Sequence, residues 1–486
     1  MKGCDELKNG CAFVNGLWTP GIRRQVFPVM NPATGEVIAE VADMETEDIE
    51  SALDGAVTAQ RKWQERTGKE RAAILRLWHT KLMENKEALA ALITEEQGKP
   101  LAEARGEVEF GASFVEWFAE EAKRIYGDLI PGPASDRRFV VVKQPIGVCA
   151  AITPWNFPLA MITRKVAAAL AAGCSMVVKP SEETPLTALM AASLATDAGV
   201  PDGLINVITT LDAAGAGDLF CQHEKVRKIS FTGSTRVGKL LLEGSAPGLK
   251  KVSLELGGNA PFIIFDDADL DRAIDGVVAA KYRNSGQTCV CANRIFVHDA
   301  VHDEFVEGLS RKVAELQLGN GAEESVNQGP LINERAVKKA EALVEDACAR
   351  GAKVVCGGRR WRTNHAWFEP TILTSVDRSM RIANEEAFAP IAPVFRFRND
   401  KEVLEMANDT AAGLMAYIYT SDVSRMWSFG ERLEVGMVAI NEGVIATELA
   451  PFGGVKESGM GREGSKYGID EYVEIKQICF GGLRTL

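Results

Sequence analysis

Cys289 lies in Asn284-Ser285-Gly286-Gln287-Thr288-Cys289-Val290-Cys291, a run of small and amide side chains between a helical segment and a strand. A thiolate is the strongest natural nucleophile near neutral pH and suits attack on a carbonyl carbon. A lone cysteine more often fills a small apolar gap, so the thiol needs partners before it means catalysis. Glu255 ends the apolar run Val252-Ser253-Leu254-Glu255-Leu256, where a carboxylate is costly unless used or paired. Desolvation there raises its pKa and suits it to general-base work. Asn156, in Thr153-Pro154-Trp155-Asn156-Phe157-Pro158, sits at another strand end, and its amide N–H can donate to an oxyanion. Gly233-Ser234-Thr235-Arg236-Val237-Gly238 follows a strand and opens a helix. It is neither the GxGxxG fingerprint nor a Walker A loop, but helix N–H groups at such a turn attract a phosphate. Lys179-Pro180-Ser181-Glu182 ends a neighbouring strand. A lysine and a carboxylate at that spacing can grip ribose hydroxyls, and Glu182 would repel a 2′-phosphate, which favours NAD over NADP. Lys179 and Ser181 leave NADP open. Taken singly, each of these turns is also an ordinary turn.

The elements that must position these residues follow from periodicity. Residues 11–42 read as short strands and turns. Long helices are expected from Thr46, over Lys69 to Glu96 with a stop at Gly98-Lys99-Pro100, and from Leu101 to Tyr126. The last carries Phe110, Phe114, Trp117 and Phe118 at helical spacing, a core stripe. Between 147 and 256 the pattern alternates: strands near 147–153, 175–179, 203–208, 226–231 and 252–256, with helices between them. Near-continuous apolar strands in βα units mean a parallel sheet covered on both faces. Such sheets bind ligands at the carboxyl ends of their strands, where Asn156, Lys179, Gly233 and Glu255 fall. A second α/β set fills residues 257–460 and contains Cys289. Two β-rich pieces, Arg138–Pro145 and Tyr472–Phe480, suit pairing with another chain, or else a plain edge hairpin.

The 486 residues exceed what one core usually serves, so two or three domains are expected. The net charge of −12 argues against a nucleic-acid partner, which would need a basic stripe. No run approaches the roughly 20 apolar residues of a membrane span, and Met1–Glu6 lacks the apolar core of a signal peptide. A cytoplasmic protein is expected. The ten cysteines, at 4, 11, 149, 174, 221, 289, 291, 348, 356 and 479, have no metal spacing and read as free thiols. The five histidines form no Cys/His cluster, so no metal site is expected, and His79 reads as a packed or surface residue.

Thr153–Pro158, Phe231-Thr232-Gly233-Ser234, Leu254-Glu255-Leu256-Gly257-Gly258, Gly286–Cys289, Glu385-Glu386-Ala387-Phe388 and Pro451-Phe452-Gly453-Gly454 occur in order over nearly the whole chain. In these motifs and their spacing the sequence resembles the NAD(P)-dependent aldehyde dehydrogenase superfamily. Within it, Gly286–Arg294 and Gly461–Gly468 are most similar to succinate-semialdehyde dehydrogenases. The resemblance implies an α/β fold with a Rossmann-type parallel-sheet cofactor domain (1–126 and 147–256), a second α/β catalytic domain (257–460) and a small β oligomerisation arm (127–146 and 461–486). It also implies a homo-oligomer, dimer or tetramer.

Carried over residue by residue, the nucleophile is Cys289, the base that activates the hydrolytic water is Glu255, and the oxyanion rests on Asn156 and the Cys289 backbone N–H. A thiohemiacetal and then a thioester form on Cys289. The cofactor NAD, with NADP possible, is implied to meet Thr153, Trp155, Lys179, Pro180, Ser181, Glu182, Gly233, Ser234, Gly238, Leu256, Glu386 and Phe388. One departure is Ala389-Pro390, where the family has Gly-Pro. The resemblance gives the substrate's distal anion to Arg164 and Arg283, whose paired guanidinium forks suit an oxyanion tail. The usual serine is Ala446, with Thr447 beside it. Either Thr447 supplies the hydroxyl or the tail differs. Succinate semialdehyde is the first expectation; glutarate semialdehyde and a sulfonated aldehyde such as sulfolactaldehyde are alternatives. A noncatalytic scaffold and a CoA-acylating enzyme are rivals that the intact Cys289, Asn156 and Glu255 disfavour. Cys291 is either a silent second thiol or a regulatory disulfide partner of Cys289, the latter closing a strained ring.

Overall fold

The structure, a computed structural model, describes residues 7–362 and 365–483. The expectations for Met1–Glu6, Cys4 and the last residues of the C-terminal arm lie outside that range. Among the described residues no helix is long and apolar enough to cross a membrane.

Two large sheets carry the chain. The first has eight strands in the order Leu17–Thr19, Ala12–Val14, Ile205–Val207, Ser175–Lys179, Val148–Ile152, Val226–Thr232, Lys251–Glu255 and Gly459–Met460. Its five central strands run parallel and its edges are antiparallel. The central strands are buried nearly throughout, as expected for a sheet covered on both faces. Their shared direction brings Ile152, Lys179, Thr232 and Glu255 to one end, with Ile152 beside Lys179 and Thr232 beside Glu255 in register.

The second sheet has seven strands, ordered Lys353–Cys356, Thr371–Thr374, Ile391–Phe397, Ala292–His298, Ala260–Ile264, Met415–Tyr419 and Met437–Ile440. All its pairs are parallel except that of the edge strand Lys353–Cys356. The late strand Gly459–Met460 returns to the first sheet beside Leu254 and Glu255, which ties the end of the chain to the strand that carries Glu255. A third, antiparallel sheet joins Arg138–Pro145 to Val473–Phe480 along eight residue pairs and to Asp128–Pro131.

One expected helix is two. Gly68–Glu84 and Lys86–Gln97 are separated at Asn85, whose φ/ψ of −104/18 leaves the helical region. Its side chain donates to the Lys81 carbonyl at 2.8 Å, so the asparagine competes with the backbone and turns the chain. The helix expected to reach Tyr126 stops at Glu121. Phe114 and Phe118 on it are buried beside Val108 and Val115, as the stripe predicts, while Phe110 and Trp117 pack at its margin.

Candidate active site

The loop before Cys289 is held in an unusual backbone. Helix Leu270–Lys281 ends, and Asn284, Ser285 and Gly286 then take φ values of 52°, 55° and 74°. Asparagine and glycine tolerate this left-handed region, but serine does not favour it. The surroundings impose it. Glu103 accepts the Asn284 N–H at 2.8 Å, and Ser285 Oγ donates to the Gly329 carbonyl at 2.8 Å. Gln287 donates through Nε2 to the Asn284 carbonyl at 3.1 Å and accepts the Ile332 N–H at 2.9 Å. A Cβ on Gly286 would lie 2.3 Å from the Ala389 carbonyl oxygen, so only glycine fits. Ala389, the family departure, is buried in the core.

Cys289 emerges half-buried from this loop onto a cavity of about 580 Å³ that Asn156 and Glu255 also line. Asn156 Nδ2 donates to the Gln287 carbonyl at 3.0 Å, which uses one of its two hydrogens. The other is engaged by no group among the described residues. Glu255 is 4% exposed, and neither of its carboxyl oxygens has a hydrogen-bond partner. Burial pushes its pKa well above the carboxylate range, helped by nearby Glu463 and opposed by Arg164 and Lys165. Burial likewise pushes the Cys289 thiol up to about 12, with Arg164 opposing and Glu255 and Glu386 reinforcing. The site therefore pairs a neutral thiol with a desolvated carboxyl and a spare amide donor: the parts for acyl chemistry on a carbonyl. Gly258 is required here too, because a Cβ on it would lie 2.5 Å from the Cys289 carbonyl oxygen.

The far wall of the cavity is formed by Trp155, Glu182, Gly233, Ser234, Leu256, Glu386 and Phe388. Ser234 caps helix Thr235–Ser245, whose first turn holds no acidic residue, so the helix N-terminus faces the cavity unneutralised. Trp155 and Phe388 meet edge to face at 5.5 Å. Glu386 accepts the Gly258 N–H at 3.1 Å, and burial lifts its pKa to about 7. Lys179 is buried behind this wall, its Nζ 3.1 Å from Glu182. Burial pushes the Glu182 carboxyl up, but Lys179, a backbone hydrogen bond and Arg335 together leave the pKa below its ordinary value. Thr153, Pro180, Ser181 and Gly238 do not line the cavity. Gly238 instead lets the helix approach Leu256, since a Cβ there would meet Leu256 Cδ2 at 2.5 Å.

Arg164, Arg283 and Thr447 also lie off the cavity wall. Arg164 is buried, ion-paired with Glu463 and stacked 4.8 Å over Phe452, and its Nη2 has no partner. Arg283 is half-buried with its guanidinium 5.7 Å over Phe157 and forms no salt bridge among the described residues. The Thr447 hydroxyl donates to Glu448 at 3.1 Å, and Ser113 donates to the same carboxylate at 3.2 Å. Cys291 is buried, its Sγ turned to the Lys281 carbonyl at 3.5 Å.

A sequence profile described as the aldehyde dehydrogenase family matches residues 18–478. The chain belongs to the aldehyde dehydrogenase family. It is 55% identical over 470 residues to a mitochondrial succinate-semialdehyde dehydrogenase of Arabidopsis thaliana, covering 97% of this chain and 89% of that one. It is 54% identical to a 3-sulfolactaldehyde dehydrogenase of Pseudomonas putida, covering 97% of each. A crystal structure of an NADP-dependent enzyme of Escherichia coli superposes with a TM-score of 0.97 at 53% identity, covering 98% of this chain and 99% of that one.

Aldehyde dehydrogenases oxidise an aldehyde to the acid with NAD(P), and the residues present fit that cofactor. Thr232 Oγ1, on the cavity wall at a strand end, is buried without a partner, and the helix N-terminus at Gly233–Ser234 presents unneutralised N–H groups. Several site residues carried no clear signal in the sequence. Asn333 and Arg335, at the start of helix Glu334–Ala349, line the cavity, and Lys339 Nζ on the same helix donates to the Glu386 carbonyl at 2.7 Å. Their helix reads as an ordinary amphipathic one. Glu107 did leave a trace, since it falls within the apolar stripe of Ala104, Val108, Gly111 and Val115.

Proposed function

We propose that the protein oxidises a short aldehyde with an anionic tail, succinate semialdehyde first, to the carboxylic acid. The observation that carries the tail is Arg283: a half-buried guanidinium that forms no salt bridge among the described residues, with Glu103 as a more distant carboxylate, directly before the Cys289 loop and against Phe157. A partly buried guanidinium with its fork free of a salt bridge fits an anion. The spare Nη2 of Arg164 supports a second donor.

Cys289 gives up its thiol proton to solvent in the cavity and attacks the aldehyde carbon, forming an anionic thiohemiacetal. The Asn156 amide and the Cys289 backbone N–H hold its oxyanion. A nicotinamide dinucleotide, when bound, supplies the hydride acceptor. Loss of hydride from that carbon leaves a thioester on Cys289, and Glu255 takes a proton from the water that releases the acid. Glu182, negative beside Lys179, supports NAD over NADP through repulsion of a 2′-phosphate. Residues 1–126 and 147–256 form the cofactor domain and 257–460 the catalytic domain. The arm of 127–146 and 461–486 joins subunits into a dimer or tetramer in the cytoplasm, a role supported by exposed Leu129, Ile130, Ile475 and Phe480 on its strands.

A longer or sulfonated tail is the second reading. Ala446 removes one hydroxyl and the Thr447 hydroxyl is engaged by Glu448, so the tail end differs from a serine-lined carboxylate site. A kinetic panel of succinate semialdehyde, glutarate semialdehyde and sulfolactaldehyde, each with NAD and NADP, tests both. Arg283→Ala should raise KM for the preferred aldehyde on the order of tenfold or more, the loss of one charged hydrogen bond. An unchanged KM removes Arg283 from the tail site.

A further inference from the structure

Lys99 belongs to Gly98-Lys99-Pro100, which in the sequence reads only as a helix stop. In the fold its side chain is 1% exposed, and that of Glu107, with which it forms an ion pair at 2.6 Å, is wholly buried. A buried ion pair seldom repays its desolvation in stability, so it calls for another reason to exist. The second contact of Lys99 supplies one: Nζ donates to the Asn156 carbonyl at 2.8 Å. The ammonium also sits 3.9 Å from the centre of the Phe157 ring, so three directions fix it.

The Asn156 carbonyl receives a second hydrogen bond, from Asn284 Nδ2 at 3.0 Å. Two donors from different parts of the chain thus set the plane of the Asn156 peptide. Its side chain is tied to the Gln287 carbonyl, two residues from Cys289. The other oxygen of Glu107 accepts the N–H groups of Leu159 at 2.9 Å and Ala160 at 3.3 Å, which fixes where helix Ala160–Ala172 begins. Glu103, on the same helix as Glu107, holds the Asn284 N–H. One helix therefore grips both walls of the oxyanion site, through buried Glu107 and half-buried Glu103.

We infer that Lys99, paired with Glu107, is a positioning residue for the oxyanion amide: it fixes Asn156 so that the free Nδ2 hydrogen meets the oxygen of the aldehyde carbon attacked by Cys289. This rests on Asn156 acting as the oxyanion donor. The geometric demand is strict, because displacing a catalytic donor by about 1 Å costs on the order of 100-fold.

The test is a double-mutant cycle on the full-length protein. Lys99→Met and Glu107→Gln are made together, so that no lone charge stays buried and the amide oxygen introduced by Glu107→Gln still accepts from Leu159 and Ala160. The pair is placed in the parent and in Asn156→Ala. In the parent, kcat should fall about 10- to 100-fold with KM and dinucleotide affinity unchanged, and Cys289 should react with iodoacetamide at the parent rate. In Asn156→Ala the same pair should cost about twofold or less, because its effect passes through the missing amide. Equal losses in both backgrounds overturn the inference, as does an unchanged kcat in the parent or a parallel loss of alkylation and dinucleotide binding. An undiminished kcat in Asn156→Ala alone refutes the oxyanion reading itself, a separate outcome. If the pair fails to fold, Lys99→Arg enters the cycle; it keeps the charge but replaces the compact ammonium with a planar fork. Additive loss there overturns the inference equally.

Discussion

Glu255→Gln separates the two halves of the reaction. The substitution keeps the shape and removes the ability to take a proton. In the parent, Glu255 is sealed from solvent with both carboxyl oxygens unpartnered, and its pKa is held well above the carboxylate range by burial and by Glu463. The base works only when deprotonated. At pH values below that raised pKa its active fraction therefore grows about tenfold per pH unit, and kcat limited by thioester hydrolysis should rise with pH and level off above it. General-base catalysis is worth about 10²- to 10⁴-fold, or roughly 3–5 kcal/mol at 1.36 kcal/mol per tenfold. Glu255→Gln should lower steady-state turnover by that factor and flatten the rising limb. A rapid-mixing experiment should still show a burst of about one reduced dinucleotide per active site, since the acyl-enzyme forms and stalls. Retained turnover with the parent pH profile refutes the assignment of the base. Loss of the burst itself refutes the division of labour, because it places proton removal from the Cys289 thiol, pushed up to about 12, on Glu255 as well.

Three further substitutions probe the surroundings. Gly286→Ala puts a Cβ 2.3 Å from the Ala389 carbonyl oxygen at a φ of 74°. Strain and overpacking together should cost about 2–5 kcal/mol, read as a lower denaturant midpoint and slower alkylation of Cys289; an unchanged midpoint shows that the loop has another conformation. Glu182→Gln removes the charge beside Lys179 and should shift the ratio of kcat/KM for NADP over NAD upward on the order of tenfold, about 1.4 kcal/mol. A static ratio shows that Glu182 does not set the preference. Cys291→Ser should leave turnover within about twofold of the parent, because the Cys291 sulfur faces the Lys281 carbonyl away from the cavity; a large loss gives this thiol a catalytic part.

The central strands of the first sheet were legible because their signal is local: apolar runs of strand length bounded by turns. The gathering of three candidate residues at one cavity was legible for the same reason. Cys289, Glu255 and Asn156 each sit where a strand or helix stops, and their neighbours in sequence announce the stop. Local signals also misled. The helical pattern from Lys69 to Glu96 continues through Asn85, and only the side-chain hydrogen bond to Lys81 shows that the helix breaks there. Gly233 and Gly238 look alike in sequence, yet one lines the cavity and the other packs behind Leu256.

By itself, the sequence determined the types of the reacting groups and the strand ends that carry them, since propensity and spacing are properties of short windows. The tertiary structure alone decided which charges meet. Lys99 reaches Asn156 across 57 residues and Lys165 reaches Glu463 across 298. Arg164 is partly taken by Glu463 while Arg283 is left without a salt bridge among the described residues. Those pairings depend on how distant segments pack, and the energy of a buried charge depends on its partner. No periodicity in the chain encodes that partner.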